Sequence, residues 1–67
     1  VKEKIIQALR NSLEASADRH RVNVGILLES HAAVAEHPDI VQTIEGELEK
    51  ISMYESKLEA LREFIGD

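Results

Sequence analysis

His20 and His31 stand eleven residues apart in "DRHRVNVGILLESH". Eleven residues is close to a whole number of α-helical turns, so in a helix both imidazoles share one face. Val24, Leu27 and Leu28 fall on that same face. Imidazoles on an apolar face have three chemical uses. They can ligate a metal with nearby carboxylates, change charge near neutral pH, or hydrogen-bond across a core to hold two helices in register. The carboxylates available to them are Glu47 and Glu55, which interrupt the apolar stripe of the second half of the chain.

A metal or small-ligand site would therefore use His20, His31, Glu47 and Glu55. Di-iron carboxylate bundles place a Glu-x-x-His pair on one helix. The residues three and four before His20 are Ala17 and Ser16, and before His31 they are Leu28 and Leu27. With that spacing absent, the preferred reading is a structural polar layer without metal or cofactor. The ligand site and a pH-sensing pair are the alternatives. His37, beside Pro38 at the expected turn, reads as a solvated residue or a cap.

Other chemistries fit poorly. Ser12, Ser16, Ser30, Ser52 and Ser56 all lie in helical pattern, away from the elbow that exposes a nucleophile beside an oxyanion hole. The three glycines are isolated, so no phosphate-cradling loop exists. No enzymatic activity is expected. The net charge is −5, divided as +2 over residues 1–24 and −7 over residues 25–67. An acidic chain repels phosphate backbones, so no nucleic-acid partner is expected, although small hairpin dimers that bind RNA share the general architecture. The basic group Lys2, Lys4 and Arg10 is the one patch that would suit such a ligand, whereas Glu45, Glu49, Glu59 and Glu63 make an acidic outer face.

The chain has no cysteine, which excludes disulfides and thiolate sites. No run of about 18 apolar residues encodes a membrane span, and the expected compartment is the cytoplasm. The first residue is valine rather than methionine, which leaves a trimmed or preceding segment open. With 67 residues and two aromatics, Tyr54 and Phe64, the core must be aliphatic and small. Chains of this size often rely on a partner.

The elements that must position the histidines follow from periodicity. Ile6, Leu9, Leu13, Ala17, Val24, Leu27, Leu28, Val34 and Ala35 recur at steps that form one helical stripe, which includes His20 and His31. A second stripe of mostly small residues, Ala8, Ala15, Val22, Ile26 and Ala33, faces the other way. Ile40, Ile44, Leu48, Ile51, Tyr54, Leu58, Leu61 and Ile65 form the stripe of the second segment. Within it, Ile44, Ile51, Leu58 and Ile65 repeat every seven residues, as in a coiled-coil seam. Pro38 suits a helix start, and Gly66 with Arg62 in the preceding turn suits a helix end. A break near Ser16 or Asp18 would give three helices, but the stripe stays in phase through it.

The chain is thus read as one all-α domain, residues 1–67: a helix over about 2–35, a turn at about 36–38 and a helix over about 38–65. The two long helices form an antiparallel hairpin. Self-association, a dimer giving a four-helix bundle, would cover the flanks a lone hairpin leaves in water. The seam for core and oligomer comprises Leu13, His20, Val24, Leu27, His31, Ile44, Leu48, Ile51, Tyr54, Leu58 and Ile65. This register sets His20 opposite Glu55 beside Tyr54, and His31 near Ile44 with Glu47 within a turn. The expected role is that of a small interaction or scaffold protein (an adaptor, regulator or chaperone-like subunit) with a protein partner.

Overall fold

The structure is a computed structural model that describes residues 1–30 and 39–66. It is a helical hairpin. Helix α1 spans Lys2–Glu29 and helix α2 spans Ile40–Ile65, and the two pack against each other. The described residues contain no strand. No described helix is long and apolar enough to cross a membrane.

Helix α1 is continuous through Ser16 and Asp18, as the unbroken phase of its stripe requires. It ends at Glu29, whereas periodicity carried it to Ala35. Ser30 is extended, with φ −90° and ψ 95°, and its N–H donates to Leu27 O at 3.3 Å. Two local features explain the early end. Residues Val22, Asn23, Val24, Gly25 and Ile26 are all weak helix formers. The last turn also carries Glu29 and no basic side chain, which opposes the helix dipole. His31, His37, Pro38 and the expected turn lie outside the described residues.

Helix α2 begins one residue after Asp39, whose carbonyl accepts from the Thr43 N–H at 3.0 Å and the Thr43 hydroxyl at 3.2 Å. It ends as its sequence anticipates. Gly66 adopts φ 80°, a left-handed conformation that costs glycine little, and its N–H donates to Arg62 O at 3.1 Å.

The interface alternates steps of three and four on both helices. On α1 this line runs through Ile6, Arg10, Leu13, Ala17, His20, Val24 and Leu27, with Ser16 and Asn23 half-covered beside it. On α2 it runs through Ile40, Ile44, Glu47, Ile51, Tyr54, Leu58, Leu61 and Ile65, with Gly46 half-covered beside it. Leu9 and Leu28 lie outside this line and are exposed, because each is displaced by one residue from an inward position held by Arg10 or Leu27. Leu48, on the flank of α2, is half exposed.

The core is thin. Among the described residues only Ala17, Ile40 and Ile51 are buried hydrophobics. The molecule measures 50 × 16 × 12 Å, with a radius of gyration of 15.5 Å, against about 11 Å for a compact chain of this length. Its accessible surface is 5197 Å², whereas a compact monomer of 7.5 kDa exposes about 4,200 Å². The difference is roughly 1,000 Å².

Candidate functional site

The seam admits a polar layer at one level. His20 projects from α1 and Glu47 from α2, and His20 Nδ1 lies 2.5 Å from Glu47 Oε2. The side chains retain 12% and 16% of their exposure. Asn23, one turn beyond His20, donates from Nδ2 to the other carboxylate oxygen, Glu47 Oε1, at 3.2 Å. Both oxygens of Glu47 are therefore engaged from α1. The His20 ring also stacks on Tyr54, with centroids 5.9 Å apart and planes 12° from parallel. Lys57 Nζ lies 5.5 Å from the Tyr54 ring centre, within cation–π range.

The heptad geometry explains this grouping. Glu47 and Tyr54 are seven residues apart and flank Ile51, so a side chain opposite Ile51 meets both. His20 occupies that place. The expected partner, Glu55, lies one residue past the seam and is exposed. It bonds Arg21, the next residue on α1, with Nη2 to Oε2 at 2.7 Å. His20 does lie beside Tyr54 as expected, but the level of α2 opposite it is Ile51, about one turn before Glu55. Arg21 also donates to Asp18 at 2.8 Å, and the two acceptors raise its pKa, Asp18 first and Glu55 second.

The hydrogen bond from His20 holds the Glu47 carboxyl below the ordinary carboxylate range. Partial burial opposes this shift, while the Asn23 hydrogen bond and the charges of His20 and Lys50 reinforce it. A lowered folded-state pKa means stability present above the ordinary value of 4.5 and lost as pH falls through the folded value. Acidification from about pH 5 to pH 3 should therefore lower the melting temperature of the native chain more than that of Glu47→Gln. The difference between the two melting curves isolates Glu47 from the other carboxylates. Parallel losses would remove the carboxylate from this role.

What the cluster can do chemically is limited by its donors. It brings together one imidazole and one carboxylate. Among the described residues, no group of three or more histidine or acidic side chains is placed to hold a metal. Of the four sequence candidates, His20 and Glu47 meet, Glu55 is taken by Arg21, and His31 lies outside the described residues. Asn23 was missed by the sequence reasoning, although its spacing of three from His20 already placed it on the same helical side. No described buried side-chain nitrogen or oxygen lacks a hydrogen-bond partner. Comparison with protein-family models, curated proteins and solved structures finds no match to this chain.

Proposed function

We propose that this protein is a small helical interaction module that works as a homodimer, two hairpins packing side by side into a four-helix bundle. The observation that carries the reading is the surplus of about 1,000 Å² of surface over a compact monomer. That surplus is close to the ~800 Å² each partner hides in a standard stable interface. Ile5, Ile26 and Phe64 all expose more than half of their area, and pairing offers them shelter that the thin intramolecular core does not. The seam follows coiled-coil spacing, and His20–Glu47 supplies a polar layer that sets register. A slip of one heptad would set Glu47 against Leu13 or Leu27 in place of His20 and take away its imidazole partner, which such a charge resists. The role is scaffolding or adaptor binding to a protein partner, rather than catalysis.

Light scattering over a hundredfold dilution series near neutral pH tests the reading. The expected mass is near twice the 7.5 kDa of the chain at the concentrated end. A chain-sized mass throughout, with an intact cooperative melt, would overturn it.

A further inference from the structure

The hairpin has two long flanks of different chemistry. One is charged: a groove lined by Glu14, Asp18, Arg21, Glu55, Glu59 and Arg62, crossed by the Arg21–Glu55 ion pair and bordered by Arg62–Glu59 at 2.7 Å. Covering it would strip water from these ions for little return. The other flank is apolar. At the open end of the hairpin, Ile5, Ile6, Leu9, Leu61, Phe64 and Ile65 line a shallow cup with almost no polar surface. Phe64 stands 92% exposed at its edge.

Beyond the cup the flank alternates apolar with polar residues, since Ser12 and Arg19 occupy the heptad steps between Ile5 and Ile26, and Lys57 lies between Met53 and Phe64. Ile26 follows Ile5 by three heptads on α1, and Met53 precedes Phe64 by eleven residues, about three turns, on α2. Both are exposed. Leu28 and Leu48 instead follow the charged flank, since each is seven residues from a member of the Arg21–Glu55 pair.

We propose that two copies of this chain dock through the flank of Ile5, Leu9, Ile26, Met53 and Phe64, open ends together, with Phe64 of each copy seated in the cup of the other. This rests on the self-association argued above and names its surface. Two observations select a second copy as the occupant. The surplus surface matches one partner's share of a stable dimer. The cup and its anchor lie on the same patch, so a two-fold axis satisfies both at once. Arg19, Lys50 and Lys57 share this flank, so the two copies meet with these long side chains turned to the rim. A large exposed aromatic beside an apolar cup is the residue type that dominates binding energy at interfaces.

The test is sedimentation equilibrium on the native chain and on Phe64→Glu, Leu9→Glu and Leu48→Glu, with circular dichroism to confirm helicity. All three variants add one negative charge at an exposed site. Phe64→Glu and Leu9→Glu are each expected to raise the dimer dissociation constant about thirty-fold or more. Leu48→Glu, on the other flank, is expected to change it less than about threefold. A native dimer that tolerates Phe64→Glu and Leu9→Glu but is lost in Leu48→Glu overturns the inference while leaving self-association intact. Equal losses in all three mean added charge alone weakens the dimer, and overturn it also. A native chain that stays monomeric removes the underlying reading, and the cup then belongs to a different partner.

Discussion

Ile51→Asp is expected to abolish the folded hairpin at room temperature. Ile51 is one of three buried hydrophobic side chains among the described residues, and it lies midway along α2 opposite the α1 seam. A domain of 67 residues has about 3–10 kcal/mol of stability in total. Removing a buried isoleucine side chain alone costs about 2–5 kcal/mol. Aspartate puts a charge into the apolar seam, where the imidazole opposite, His20, is already bonded to Glu47. It also sits four residues from Glu47 on one side and from Glu55 on the other, both acidic, so the helix contributes repulsion. Mean ellipticity at 222 nm should fall to that of an unfolded chain. Val41→Asp makes the same charge change at an exposed position of the same helix, and its melt should stay within a few degrees of native. If Ile51→Asp kept native helicity and melting, the seam as described would not be the core.

The second large effect is non-additive. His20→Leu leaves Glu47 in the seam with Asn23 as its one remaining donor from α1, and Glu47→Leu takes the acceptor from both the imidazole, still stacked on Tyr54, and Asn23. Each single change strands a polar group and is expected to lower the melting temperature by about 10 °C or more. The double variant removes both groups and fills the layer with apolar side chains. Its melting temperature is expected to equal the native value or exceed it by about 5–10 °C. Losses in the double variant equal to the sum of the singles would show that the two residues act independently, against the geometry of the pair. The double variant also bears on what the layer is for. If the native pair sets register, its loss should broaden the population of oligomers seen by sedimentation even as thermal stability rises.

Much of this architecture is legible in residue order, because helical periodicity is a local property. The Ile44, Ile51, Leu58, Ile65 repeat specifies the buried side of α2 without reference to any other part of the chain. The end of α2 is equally local: a glycine in left-handed conformation and an arginine one turn earlier are enough. So is the placement of His20 on the inward face. The C-terminal end of α1 was less legible, since the apolar spacing runs on past Glu29 while propensity and dipole act against the helix there.

The pairing of the polar residues needed the tertiary structure. Glu47 and Glu55 are eight residues apart, one turn to either side of Ile51, so a shift of about one turn decides which of them His20 meets. A turn read at 36–38 favours Glu55 for His20 and leaves Glu47 to His31. The packed helices separate them, because Glu47 is in step with the seam and Glu55 is one residue beyond it, within reach of Arg21. The same fit decides that Arg10 rather than Leu9 lines the interface, which leaves Leu9 on the outer flank beside Phe64. Amphipathic spacing tells each helix which side to bury. Which residues then meet depends on the register between two helices, and that is settled by long-range packing and by where a buried charge finds its donors.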